Sequence, residues 1–211
     1  MARSHNSRRD VGIWMDSPDR YGLISRVLHW FIAYMLIWQF ATILTWRIFG
    51  PAGWVKFVTS FGPYHGTVGL LVLPLVVLRA LWMLINRRRR PPHEMGWAGR
   101  AALAGHVTLY LLMFAIPALA LLRAYGSGKG WLPWIPATGE EVAWLTGPAN
   151  ALHGPLSWCL SVLIVGHILA ALFHRFIRKD GILARMVGPL RSRAMGCRTS
   201  SIKPKETGNA A

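Results

Sequence analysis

The residues in this sequence best suited to chemistry are its histidines, at positions 5, 29, 65, 93, 106, 153, 167 and 174. His5 and His93 fall in polar stretches and read as solvated. The other six lie in or at the ends of long apolar runs, where a polar side chain is costly and marks a functional candidate. An imidazole in such surroundings serves as a hydrogen-bonding group, a proton relay or a ligand to a metal or haem iron. Taken singly, each is as readily a structural hydrogen bond as a ligand. Several at matched depths point to ligation, because the two axial ligands of one haem come from facing helices at similar height.

Depth sorts these residues into two cross-helix pairs. His65 lies just inside the outer end of the second apolar run and His153 just inside the outer end of the fourth. His29 lies about six residues into the first run from its inner end, and His167 about seven from the inner end of the fourth. The pairs are therefore His29 with His167 and His65 with His153. Since His153 and His167 are 14 residues apart, a helix separates them by about 21 Å and returns to within about 40° of the same face. One face of the fourth run can thus serve two stacked haems. His174 shares that face but falls at the inner boundary, below His29. His106, at the inner start of the third run, has no equally deep partner. For His106 and His174 a structural bond and a haem-edge or quinone role both stay open. Small residues lie one turn from several candidates, Ala33 after His29, Gly69 after His65, and Ala170 and Ala171 after His167. They would leave room for a haem plane, although membrane helix contacts favour small residues without any cofactor.

The elements that must position these histidines are membrane helices. The chain has 211 residues, of which 53% are hydrophobic, yet its formal charge is +16. Four segments, roughly 23–46, 64–85, 103–123 and 151–174, are long and apolar enough to cross a bilayer. Helix is the only open-chain choice there, because lipid offers no partner for backbone N–H and C=O groups. All eight acids, Asp10, Asp16, Asp19, Glu94, Glu140, Glu141, Asp180 and Glu206, lie outside these runs. Pro74 and Pro117 fall inside spans two and three, where neighbouring helices tolerate a kink. The expected fold is all-α, a membrane-spanning four-helix bundle.

Charge sets the expected orientation. Of the 24 Lys and Arg, all but Arg47, Lys56, Arg79, Arg123 and Lys129 fall in the N-terminal arm, at the inner start of the first run (Arg26), in the 86–102 loop or beyond the fourth run. By the positive-inside rule both termini and the Arg87-Arg88-Arg89-Arg90 run face the cytoplasm, and the 124–150 loop faces out. The arginine run reads as a stop signal that also favours anionic lipid headgroups. Trp131, Trp134 and Trp144 in the outer loop read as an interfacial aromatic belt. The first apolar stretch is too long for a signal-peptide core and reads as an uncleaved first span. The organisation is then a cytoplasmic arm over 1–22, a transmembrane domain over 23–188 and a disordered basic tail over 189–211.

Nucleic-acid binding is excluded as a leading reading, because the basic residues are divided among separate segments between apolar spans. Cys159 and Cys197 lie on opposite sides of the membrane boundary and form no disulfide framework. The sequence has no C-x-x-C-H, so haem here would be held without a covalent bond, as b-type. Arg79 has no acid nearby in any span. It either snorkels its guanidinium to the cytoplasmic interface or pairs with a haem propionate.

The stretches Arg20-Tyr21-Gly22 through Leu28-His29-Trp30, His65-Gly66-Thr67-Val68-Gly69, Gly105-His106-Val107-Thr108-Leu109-Tyr110, and His167 through His174-Arg175-Phe176-Ile177 to Asp180-Gly181-Ile182-Leu183-Ala184-Arg185-Met186 stand out. Together they resemble the bacterial cytochrome b561 family of small four-helix di-haem proteins. The resemblance implies that His29 and His167 ligate an inner haem b and His65 and His153 an outer one. It also implies exchange of electrons with ubiquinone-type quinone in the bacterial inner membrane. One departure is Gly154-Pro155 after His153, which predicts that His153 sits on the lead-in to span four rather than within it.

The leading expectation is a b-type electron carrier working with quinone and with a periplasmic donor or acceptor, stable on its own or as a homodimer. The rival is a haem b anchor subunit of a membrane-bound dehydrogenase or hydrogenase. A transporter using a histidine relay is a third reading, weakened because such proteins usually carry buried carboxylates.

Overall fold

The structure, a computed structural model, describes residues 13–91, 96–131 and 135–188. The expectations for His5, His93, Trp134, Cys197 and the 189–211 tail fall outside these residues. The described chain folds into helices α1 (Leu23–Phe49), α2 (Gly53–Thr59), α3 (His65–Ile85), α4 (Trp97–Gly126), α5 (Ala143–Phe173) and α6 (Ile182–Val187). A π-helical turn over His174–Arg178 joins α5 to α6. Four of these elements, α1, α3, α4 and α5 with its π turn, are long and apolar enough to span a membrane.

The bundle is built by α1 on α3, α3 on α4 and α4 on α5. Its apolar centre contains Ile32 and Met35 of α1, Val68, Val72 and Val76 of α3, Met113 and Ile116 of α4, and Leu160 of α5. The four-residue spacing of the three valines keeps them on one helical face. Large apolar side chains elsewhere are exposed, among them Phe31, Leu111, Val162 and Leu169. That inversion fits helices whose outer faces meet lipid.

Two of the helices run further than their apolar cores suggest, α4 from Trp97 and α5 from Ala143. The early start of α5 corrects the reading of Gly154-Pro155. Both Pro148 and Pro155 lie inside α5, so His153 is within the helix, not on a lead-in. A proline costs one backbone bond and crowds the carbonyl four residues back, a penalty that adjacent helices can absorb in a membrane bundle.

One end of the bundle, the arm end, carries residues 13–22 and α6. The other, the loop end, carries α2 and the connection from α4 to α5. At the arm end the segment before α1 is folded against the helices. Asp16 is fully buried. Its carboxylate accepts from the Gly22 N–H at 2.8 Å, the Ser25 hydroxyl at 2.6 Å and Arg90 Nε at 3.2 Å. An anion so placed satisfies donors at the start of α1 and suits the positive end of that helix. Buried Asn86 accepts from the Asp16 N–H at 3.4 Å and donates to the Trp82 carbonyl at 3.1 Å, while Trp82 Nε1 donates to Ser25 at 3.0 Å. Gly22 is required here: a Cβ would stand 2.4 Å from the Trp14 carbonyl oxygen.

Arg26 fastens the two ends of the described chain. Its Nε donates to the Tyr21 carbonyl at 2.9 Å and Nη2 to that of Arg185 at 3.0 Å, and Nη1 also donates to the Gly188 carbonyl. The Tyr21 N–H adds a bond of 3.1 Å to Arg185.

Candidate haem-binding site

Four histidines face one another in two pairs. His29 near the start of α1 and His167 near the end of α5 have ring centres 6.3 Å apart, with planes at 64°. His65, the first residue of α3, and His153 of α5 have ring centres 6.2 Å apart, with planes at 71°. The structure therefore brings together both pairs expected from depth.

These separations can be tested against a bound iron. Imidazole nitrogen meets a first-row metal at about 2 Å, and the ring centre lies about 1 Å behind the nitrogen, so two imidazoles on opposite sides of one ion stand about 6 Å apart centre to centre. Both pairs fit that requirement. His29, His153 and His167 are half-buried, and His65 is exposed. His153 Nδ1 is buried without a hydrogen-bond partner. The donor set, imidazoles in an apolar bundle, suits haem iron.

His106 approaches the same site but differs in geometry. Its ring centre is 5.3 Å from that of His167, shorter than two ligands across an iron require. Its Nδ1 also bonds the Ala102 carbonyl of its own helix at 2.7 Å. His174 stands apart from both pairs, joined to Asp180 across the turn after α5.

Arg79 does not snorkel. Its Nη1 lies 2.9 Å from His29 Nδ1, and its guanidinium carbon stands 5.8 Å from the centre of the Tyr110 ring. Its partner is thus a histidine rather than an acid. Gln39 is a second residue that sequence reasoning missed. It donates from Nε2 to the His65 carbonyl at 3.0 Å, and its Oε1 is buried without a partner. The available signal was its position, since it is the chain's sole glutamine and sits in the middle of an apolar run. Gly69, expected to make room for a haem plane, is where α3 passes Gln39: a Cβ there would lie 3.6 Å from the amide nitrogen. Trp131 covers Gly66 beside His65, where a Cβ would come within 2.9 Å of the indole ring.

Comparison with known proteins gives this geometry its context. The family model described as prokaryotic cytochrome b561 matches residues 20–189. Cytochrome b561 homolog 2 of Escherichia coli (strain K12) is 36% identical over 82% of this chain and 94% of its own length. Cytochrome b562 of Cereibacter sphaeroides is 30% identical over 83% of this chain and 99% of its own. A protein of Yersinia pestis named probable superoxide oxidase CybB is 28% identical over 80% of this chain and 96% of its own. With four apolar helices long enough to span a bilayer, the chain belongs to the prokaryotic cytochrome b561 family and is a multi-pass, haem b-binding membrane protein of electron transfer.

Proposed function

We propose that this chain holds two haems b, one between His29 and His167 and one between His65 and His153, and passes electrons through them to or from a ubiquinone-type quinone. The observation that carries the reading is the repeated separation of 6.3 and 6.2 Å between ring centres in the two pairs. Haem supplies reversible one-electron exchange at its iron. The four histidines would hold the two rings, His29 with His167 and His65 with His153, and haem held in this way would serve electron transfer. The pairs sit toward opposite ends of the bundle, about 21 Å apart along α5, so that electrons cross most of the membrane.

The basic arm end faces the cytoplasm of a bacterial inner membrane in this reading, as the distribution of Lys and Arg supports. Quinone reduction takes two electrons and two protons, so a polar group must lie near the exchange site. Arg79 and His106 are the candidates toward the arm end, and Arg123 and Lys129 those toward the loop end. The name of the Yersinia relative favours superoxide as one electron source: two superoxide ions give up two electrons, leave as dioxygen, and with two protons reduce one quinone to quinol. The anchor-subunit reading differs in a measurable way, because such a chain would copurify with an iron–sulfur partner and lose stability without it.

The test is a dithionite-reduced minus oxidised spectrum and a pyridine haemochrome count on the detergent-purified chain and its variants. Two haems b per chain are expected, with a single haem lost in each of His29→Ala, His65→Ala, His153→Ala and His167→Ala. Absence of haem from the unaltered chain would overturn the reading and restore the histidine relay.

A further inference from the structure

We propose that Arg79 binds a carboxylate of the haem held by His29 and His167, an inference that rests on the assignment of that pair. Arg79 lies in α3 about 9 Å from its arm end, at 1.5 Å per residue, and its guanidinium points into the bundle. Three observations ask for an anion there.

The first is that no ion pair joins Arg79 to an acid among the described residues. The ion pairs recorded among the described residues join Arg90 to Asp16, and His174 and Arg178 to Asp180. Asp16, an acid of the arm end, is already engaged by Gly22, Ser25 and Arg90. The second is that Arg79 Nε is buried without a hydrogen-bond partner. The contacts to His29 and the Tyr110 ring satisfy other parts of the group but supply no negative charge. A buried guanidinium remains charged, so the deficit cannot be removed by loss of a proton.

The third observation concerns the His29 contact itself. Arginine has only donors, so at 2.9 Å the Nδ1 of His29 must be the acceptor. An imidazole that binds iron through Nε2 normally carries its proton on Nδ1. The Arg79–His29 contact and ligation by neutral His29 are then mutually exclusive. Loading releases the guanidinium beside a cofactor that carries two carboxylates on one edge, and the planar fork of arginine matches a carboxylate.

The experiment uses the full chain with His65→Ala, so that only the inner site is filled, loaded with haem b or with its dimethyl ester. Haem affinity and midpoint potential are read for Arg79, Arg79→Gln and Arg79→Lys. With Arg79 present, haem b is expected to bind at least tenfold more tightly than the ester, and Arg79→Gln is expected to remove most of that preference while still binding both. The ester should raise the potential in the Arg79 protein, Arg79→Gln should lower it with haem b, and the two changes should offset when combined. Arg79→Lys should keep part of the preference, which tests the inference if the glutamine variant does not fold. An undiminished preference for haem b in either variant would overturn the role of Arg79. Retention of inner haem after adding His29→Ala would instead overturn the ligand pair.

Discussion

His106 and His167 have ring centres 5.3 Å apart, a full ångström less than His29 and His167 at 6.3 Å. Two imidazoles compete in space for the same neighbour, and the separation distinguishes their roles. His106→Ala is therefore expected to keep the haem content of the unaltered chain, whereas His29→Ala loses the inner haem. The pyridine haemochrome count checks this directly, and loss of a haem in the His106 variant would assign the inner pair differently.

Asp16 is expected to be the most sensitive residue before α1. Asp16→Ala withdraws the acceptor of three donors and leaves Arg90 without its anion, a cost of about 2–4 kcal/mol. Asp16→Asn keeps an acceptor oxygen and should lose less. Thermal unfolding of the purified chain in detergent measures both. Equal stability of Asp16→Ala and the unaltered chain would remove the arm from the account of stability.

The turn after α5 should respond to acid. Burial is the largest single influence on Asp180 and opposes its ionisation, but the hydrogen bonds from His174 and the Ile182 N–H, with the nearby charges of His174 and Arg178, together outweigh it and hold the carboxyl below the usual carboxylate range. A folded-state value below the unfolded one means that this contribution is present above the unfolded value and fades as pH falls through the folded one. The Ile182 amide donates to Asp180 at 3.2 Å, so its hydrogen-exchange protection should decrease below about pH 4 once intrinsic exchange is divided out. Asp180→Ala should abolish that pH dependence.

Orientation is open to a simple check. If the arm end faces the cytoplasm, a phosphatase fused after residue 188 should be inactive and a fluorescent protein fused at the same point should be bright. The reverse pattern would invert the assignment of inner and outer haems.

The parts of this molecule that were legible in the sequence are those in which a residue type contradicts its surroundings. His29, His65, His153 and His167 stand out because histidine is expensive in lipid, and helical rise alone then fixes which can meet. Gln39 carried the same signal and was passed over. Pro155 is misleading because the rule against helical geometry in the residue before a proline is strongest where no neighbouring helix compensates, and α5 already begins at Ala143. Asp16 could not be read at all: it lies outside every apolar run, and its partners Asn86 and Arg90 are 70 and 74 positions away. Nothing local distinguishes it from Asp19, an acid of the same arm.

The bonds from Arg26 to the carbonyls of Arg185 and Gly188 span 159 and 162 positions. At a synthesis rate of about 5–20 residues per second, the acceptors emerge from the ribosome about 10–30 s after the donor. The first helix thus enters the bilayer with a buried cation whose tertiary acceptors do not yet exist. Completion of this end of the protein is a late event of biogenesis, and a chain that stalls before Gly188 leaves the earliest helix unfinished.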